Sequence, residues 1–326
     1  MKLNLYDSDL NRIAIIGNQF ISCMWSEGYN TVQPFTLELQ ATKKYKALVK
    51  PDCYVGRDDR KTLMVIKTVR VKSGHIIANG QQATRCLDDV AFVGTIKAGS
   101  NTGQALKSAY DASDKFKNFE FAVPNLDVTY DHDISNKSLL TLLETMCQDT
   151  DTGFRAVRAG KKVMVELYKP SINPNRILAE QYGSLKIDTV TLSTENKRNK
   201  AVVLGEGEGE ARKRVVVDLS NGEQKRTVIV DARNITMAEG ESLSSYEERL
   251  AARGYEELLK KQGTWECAIN PLPQEFGELY DLGDVITVLL PDYNMKLQSR
   301  LVRFTQQSQN NVIKTVLEIG TITITR

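Results

Sequence analysis

A chain of 326 residues with 41% hydrophobic content is long enough for two or three domains with real cores. Its 43 basic and 41 acidic residues leave a net charge of +2, which argues against a protein built to coat nucleic acid, because that task needs a clustered positive field. No apolar run approaches the ~20 residues of a membrane span. The first residues, Met-Lys-Leu-Asn-Leu-Tyr-Asp, lack the apolar core of a secretory signal, so the chain is expected to be made and kept, or assembled, in the cytosol.

Residues 1–97 read as β structure. Leu3 and Leu5 alternate with polar neighbours, Asp7-Ser8-Asp9 supplies turn residues, and Ile13–Ile16 forms the return strand of a hairpin. Asp7, Asp9 and Asn11 copy the opening of a calcium loop, but the glycine at the sixth position and the glutamate at the twelfth are missing. Phe35, Leu37 and Leu39 alternate with Thr36 and Glu38, the mark of a strand with one wet face. Leu63–Val71, Ile76–Ala78 and Ala91–Ile96 continue the pattern. Short strands separated by frequent turn signals imply a barrel or sandwich.

The pattern changes near Ala98. Thr102 is placed to cap a helix carrying Ala105, Leu106, Ala109 and Tyr110 on one face. Ser135 is read as the N-cap of a second helix with Leu139, Leu142, Leu143 and Met146 as its buried stripe. Phe154–Val157 and Val163–Leu167 make two strands. Residues 98–170 are thus expected to be an inserted α+β domain. Asp131-His132-Asp133 precedes the second helix. Two carboxylates and an imidazole could hold a metal or do acid–base chemistry. The two carboxylates are expected to serve the helix N-terminus and its turn.

Pro170–Asn175 has linker composition, and Leu185–Leu192 returns to β alternation. Then comes Val202–Val217, in which two β-branched runs flank a Gly/Glu centre followed by a cationic triplet. This spells two strands and a mobile hairpin tip, with Glu206, Glu208 and Glu210 close to Arg212, Lys213 and Arg214. The tip could close on itself or reach a neighbouring chain. A phosphate-cradling loop is disfavoured, because alternate carboxylates repel phosphate and no Gly-Lys-Ser/Thr follows. Residues 171–243 are taken as a bridging β segment that carries this hairpin. Ser245-Tyr246-Glu247-Glu248 is a capping box opening a helix to about Lys261, with Tyr246, Leu250, Tyr255, Leu258 and Leu259 on its apolar side and Gly254 inside at some cost. Residues 244–326 are read as that helix plus a second β module. There Val285–Leu290, the Val302/Phe304 strand, Ile313–Ile319 and Thr321–Thr325 alternate.

The five cysteines, Cys23, Cys53, Cys86, Cys147 and Cys267, form no C-x-x-C pair and are read as buried free thiols in a reducing compartment. Only two histidines, His75 and His132, are present, which starves a histidine-based zinc site or a catalytic triad of parts.

Several of these segments, in order, resemble the siphophage tail-tip hub family, related to the baseplate hub proteins of contractile phages. The carrying residues are Asn199–Val203, Gly205–Gly209, Arg212–Val216, Val230–Arg233, the helix with Tyr246, Leu250 and Arg253-Gly254, and Tyr280–Asp284 before a strand. The start, Leu3-Leu5-Tyr6-Asp7, is similar to the family as well. The resemblance implies a mainly β fold with an α+β insert: two tail-tube-like β-barrel modules plus a small α+β domain. It implies a homotrimer forming a pseudo-sixfold ring between the tail tube and the tip, in the virion and assembled in the host cytoplasm. The partners implied are a distal tail or tube ring protein, a tape-measure protein and a tip or spike protein, with DNA only as a passenger through the channel. Glu206, Glu208, Glu210, Arg212, Lys213 and Arg214 are the candidate subunit-interface residues. No catalytic residue, cofactor or metal is expected. Some tail-tip proteins carry a wall-degrading domain after the hub; the sequence leaves no length for one, which fits a bare hub.

Two other function classes compete. Carboxylate pairs such as Glu206/Glu208, Glu247/Glu248 or Asp131/Asp133 could serve a cell-wall glycoside hydrolase, which needs two carboxyls roughly 5–10 Å apart. Trp25 and Trp265 could be sugar platforms of a carbohydrate-binding module, although both sit beside strand-like sequence where core packing is the simpler role.

Overall fold

The computed structural model describes residues 1–122, 126–238, 240–261, 264–271, 276–293, 295–310 and 312–320. The chain forms two compact units, Met1–Asp188 with Ala268–Arg326, and Thr189–Cys267.

The first unit opens with β1 (Leu3–Tyr6), β2 (Arg12–Gly17), β3 (Ser22–Gly28), β4 (Pro34–Gln40), a short helix α1 (Lys43–Leu48), β5 (Tyr54–Arg57), β6 (Met64–Lys72) and β7 (His75–Gln82). They lie in the order β3-β4-β7-β6-β5-β1-β2. The period-two alternation decides which face is dry. Phe35, Leu37 and Leu39 of β4 stand opposite Gly80, Ala78 and Ile76 of β7, and Phe35 and Leu37 opposite Trp25 and Cys23 of β3. Phe35, Leu37, Leu39, Trp25 and Ala78 are fully buried, and Trp25 meets Phe35 edge-to-face at 5.5 Å. The opposite face carries Thr36, Glu38, Asn79 and Met24 and is wet.

The N-terminal hairpin forms as the sequence indicates. At its turn Asp7 accepts from the Asp9 and Asn11 amides at 3.0 and 2.9 Å and from Asn11 Nδ2. That carboxylate is therefore used to close the turn.

The insert follows: β8 (Ala91–Ile96), β9 (Ser100–Asn101), α2 (Thr102–Asp111), β10 (Phe119–Ala122), β11 (Thr129–Tyr130), β12 (Ile134–Ser138), α3 (Leu139–Asp149), β13 (Gly153–Ala159) and β14 (Lys162–Tyr168). Both helices are capped one to three residues away from the positions read from sequence. Asn101, not Thr102, accepts from the Gln104 amide, and Ser138, not Ser135, accepts from the Thr141 amide. Ser135 is committed to β12, opposite Thr95 of β8. Leu139, Leu142, Leu143 and Met146 are fully buried in a core that includes Leu106, Tyr110, Phe154, Val163 and Val165. Tyr6, Tyr54, Leu63 and Val65 of the first strands belong to that same core, so the insert is fused to the module that precedes it.

β15 (Ile172–Leu178) and β16 (Leu185–Ser193) lead towards the second unit, which holds β17 (Lys200–Leu204), β18 (Arg214–Asp218), β19 (Thr227–Asp231) and α4 (Leu243–Lys260). Its sheet has the order β18-β17-β19, with β18 antiparallel and β19 parallel to β17. α4 begins at an N-cap Ser242, one turn before the capping box read from sequence, and Ser242 accepts from the Ser245 amide. Tyr246, Leu250 and Leu258 pack on Ala201, Val203, Val217 and Val230. Gly254 completes that i, i+4 ridge. A Cβ there would lie 2.8 Å from Val203 Cγ2 and 2.9 Å from Val217 Cγ2. The glycine thus lets helix and sheet approach, which offsets its poor helix propensity. Tyr255 and Leu259, expected on the apolar side, are 49% and 69% exposed, because they sit one position off the ridge.

The described residues end with β20 (Thr264–Pro271), β21 (Val285–Leu290), β22 (Met295–Gln309) and β23 (Val312–Ile319); the alternating run Thr321–Thr325 lies outside them. β21 pairs parallel with β15 and antiparallel with the first half of β22. The second half of β22 lies between β23 and β3. The first and last strand modules of the chain therefore share one sheet, which runs β16-β20-β23-β22-β3-β4-β7-β6-β5-β1-β2.

Candidate functional site

Three features of the described residues bear on function: the Gly-Glu hairpin of the second unit, and the β3–β22 junction and an ionic cleft beside it, both in the first.

In the hairpin, β17 and β18 run in register from Lys200↔Asp218 to Leu204↔Arg214. The Gly205 amide donates to Lys213 O at 2.8 Å and the Lys213 amide to Glu206 O at 3.0 Å, closing the neck of the loop. The charges at the tip are not matched to each other as their proximity in sequence implies. Arg212 folds back: Nε donates to Gly205 O at 3.0 Å, while Nη2 donates to Leu204 O and to Asp231 Oδ1, both at 2.6 Å. Its side chain is 9% exposed, and its hydrogen bond holds the Asp231 carboxyl below the usual carboxylate range. Lys213 pairs with Glu247 on α4. Glu206 accepts from the Met237 amide at 3.2 Å, and its own amide donates to Tyr246 Oη at 2.8 Å. Tyr246 Oη in turn donates to Ile235 O. Glu208 and Arg214 are exposed. The Glu210 side chain lies outside the described residues. Three of the six candidate interface residues, Glu206, Arg212 and Lys213, thus bond within their own unit, and two, Glu208 and Arg214, face solvent.

At the junction, β22 and β3 pair antiparallel from Arg303↔Gly28 to Gln309↔Ser22. Ser26 Oγ and Thr305 Oγ1 bond across it at 2.9 Å. The wet face of β4 and β7 continues over the junction through Met24, Thr305 and Gln307, with Ser26 on the same side but buried. Arg303 and Glu318 pair on it at 3.0 Å, and His75 Nδ1 meets Glu38 at 2.7 Å. Hydrogen bonds from Ser22 and His75 hold the Glu38 carboxyl below its ordinary value.

Beside the junction lies a cleft of about 430 Å3, lined among others by Glu27, Arg60, Arg155, Phe276, Asp281 and Phe304. Glu27 is 1% exposed and receives four hydrogen bonds: Trp25 Nε1 at 2.8 Å, Thr62 Oγ1 at 2.6 Å, and Arg60 Nε and Nη2 both at 2.9 Å. Arg60 also reaches Asp281 at 3.0 Å, and its guanidinium lies over the stacked rings of Phe276 and Phe304. Arg155 pairs with Glu166 at 3.1 Å. Burial alone would raise the Glu27 carboxyl, but the Arg60 charge and the bonds from Arg60, Thr62 and Trp25 outweigh it and hold it below 4.5. General acid–base chemistry needs a carboxyl poised near the working pH. Glu27, the most enclosed carboxylate of this cleft, is instead locked as an anion inside a fixed network that ties β3 to the β5–β6 loop and to the segment before β21. Spacing in sequence gave no sign of this cluster, whose members span residues 25 to 304.

Asp133 accepts from Lys97 Nζ at 2.8 Å and from the Ala98 amide at 2.9 Å, so it braces the β8–β12 end rather than the helix. His132 lies edge-on to Tyr130. Trp25 is fully buried and presents no face to a sugar; the side chains of Trp265 and Cys267 lie outside the described residues. Cys23, Cys53, Cys86 and Cys147 are buried and free. Among the described residues no cluster of His, Cys, Asp or Glu could hold a metal ion, and no helix is long and apolar enough to cross a membrane.

A family model described as Siphovirus ReqiPepy6 Gp37-like protein matches residues 2–321. No curated protein matches the chain. Among solved structures, the 43 kDa tail protein of prophage MuSo2 from Shewanella oneidensis is 12% identical, with a TM-score of 0.64 over 98% of each chain. The tail protein from Neisseria meningitidis MC58 is 12% identical, with a TM-score of 0.60 over 98% of this chain and 96% of that one. Prophage tail protein gp18 from Listeria monocytogenes EGD-e is 11% identical, with a TM-score of 0.59 over 98% and 94%. At these identities the likeness is one of fold.

Proposed function

Because the chain belongs to the Siphovirus ReqiPepy6 Gp37-like family of phage tail proteins, we propose that it is the structural hub of a tail tip. Three copies close a pseudo-sixfold ring that joins the tail tube to a tip or spike protein, beside a distal ring protein and the tape-measure protein, and DNA passes through the channel of the ring. The observation that carries this reading is the β3–β22 pairing. It fuses two strand modules of one chain edge to edge into a single sheet, so one chain supplies two ring segments and three chains supply six. The wet face over that junction suits a channel wall. It carries the hydroxyl and amide side chains of Thr36, Asn79, Thr305 and Gln307, and its acids Glu38 and Glu318 are each paired with a neighbour. A surface that neutralised many phosphates would hold DNA rather than pass it.

The hub acts without chemistry of its own. The ionic cleft supports this, since among its carboxylates Glu27 and Asp281 are engaged by Arg60 and Asp59 by Arg57. Mass measurement of the purified chain with negative-stain imaging tests the proposal. A trimer with a central opening agrees with it, and a chain that stays monomeric at all accessible concentrations refutes it. Zymography on cell walls tests the absence of hydrolysis.

A further inference from the structure

The second half of β6 is an open sheet edge. On one flank β6 is paired with β7 from Met64↔Gln82 to Lys72↔His75. On the other flank β5 reaches only Met64 and Val65, and Ile66 bonds through its amide and carbonyl to Cys53 and Asp52. Beyond Ile66, among the described residues, no strand pairs with that flank. The β6–β7 turn has Ser73 at φ 51° and Gly74 at φ 81°, the paired left-handed conformations of a two-residue type I′ hairpin. In such a hairpin the closing pair, Lys72 and His75, bonds to each other, so Arg70 also bonds inward. Val69 and Val71 then turn their amide and carbonyl groups to the open side. Val71 is 54% exposed.

An edge of this kind is a template for another strand. Its charges select which strand. Arg70 and Lys72 lie along it, while Lys67 is paired with Asp52 and Asp89, and like charges directly opposite one another destabilise a pair. Two copies joined β6 to β6 would set cations against cations, which disfavours a two-fold contact. A heterologous contact remains, and heterologous contacts close rings. At the far end of the same sheet stands β16, whose sequence Leu-Lys-Ile-Asp-Thr-Val-Thr-Leu-Ser mixes apolar and polar residues and carries one charge of each sign.

We propose that the β6 edge, residues 67–72, receives β16 of the neighbouring copy, so that the sheet continues between chains as it continues from β3 to β22 within one. The inference rests on the ring reading and gives its seam a location. The test uses the full chain and two substitutions at one position. Val71→Pro removes an amide hydrogen that points away from β7, and proline is tolerated at such a position on an edge strand; Val71→Ala keeps that hydrogen. The expected result is a trimer for the unsubstituted chain and for V71A, and loss of the trimer for V71P with unchanged circular dichroism. Hydrogen exchange on the unsubstituted chain gives an independent reading if V71P fails to fold. The Val69 and Val71 amides should exchange freely in dilute monomer and become protected on assembly. A trimer in which those amides stay unprotected, or a V71P chain that assembles like the unsubstituted one, overturns the seam and leaves the ring standing. An unsubstituted chain that never trimerises overturns both.

Discussion

Glu27 and Arg60 face each other through two parallel hydrogen bonds of 2.9 Å, at a point where the carboxylate is 1% exposed and the guanidinium side chain 10%. The pair joins β3, the strand at the module junction, to the loop before β6. Removing one member of a buried pair costs about 3–5 kcal/mol, because the other is left uncompensated. Glu27→Gln preserves shape and one acceptor, so its cost should fall at the low end, about 3 kcal/mol. For a unit of this size that lowers the melting temperature by about 6–12 °C. Calorimetry of the purified chain checks it, and a shift under 2 °C would show that Arg60 finds adequate compensation in Asp281.

The same carboxylate sets an acid dependence. Its folded-state value lies below 4.5, the ordinary value, which the unfolded chain retains. A depressed carboxyl stabilises the fold above the ordinary value, and that contribution is lost as pH falls through 4.5 towards the folded-state value. The urea midpoint should therefore drop between pH 5 and pH 3, as general carboxylate titration also requires. The diagnostic is the difference between the unsubstituted chain and Glu27→Gln, which should narrow steadily across that window. A constant difference would mean that Glu27 contributes packing and not charge.

In α4, Gly254→Ala should destabilise, against the usual sign for an internal helix glycine. Alanine gains about 1 kcal/mol of helix propensity, but its Cβ would sit 2.8 and 2.9 Å from two valine methyls on β17 and β18. Overpacking of this kind costs about 1–3 kcal/mol. A net loss of about 1 kcal/mol is expected from denaturant unfolding of the full chain, and a gain would show that α4 can lift off the sheet without penalty.

What the sequence discloses is what a period discloses. Phe35, Leu37 and Leu39 against Thr36 and Glu38 identify β4 and its dry face, because one face of the strand is buried and the other is not. Leu139 to Met146 identify α3 for the same reason at helical spacing. Cap positions slip by one to three residues, since Ser135 and Ser138 both precede the same apolar stripe and only the pairing of Ser135 with Thr95 removes it from contention. The junction was beyond reach: Ser26 and Thr305 are 279 residues apart, and no local pattern encodes which edges meet. The hairpin shows the same limit. Its charges were legible, but Arg212 is tied to Asp231 and Lys213 to Glu247, residues supplied by β19 and α4.

That division of labour within the hairpin separates fold from assembly. Arg212 donates three hydrogen bonds, two of them to the backbone carbonyls Leu204 and Gly205. Arg212→Ala should therefore unsettle the loop itself, at about 1–3 kcal/mol, and Arg212→Lys should recover only part of the loss, because a lysine cannot span carbonyl and carboxylate with a planar fork. Glu208 and Arg214 are exposed, and removing their charges should cost less than about 0.5 kcal/mol of stability. If the hairpin tip contacts a neighbouring copy, the double reversal Glu208→Lys with Arg214→Glu should weaken the trimer in sedimentation while melting is unchanged. Unaltered sedimentation would confine the tip's role to its own unit, and the open edge of β6 would then carry the assembly without it.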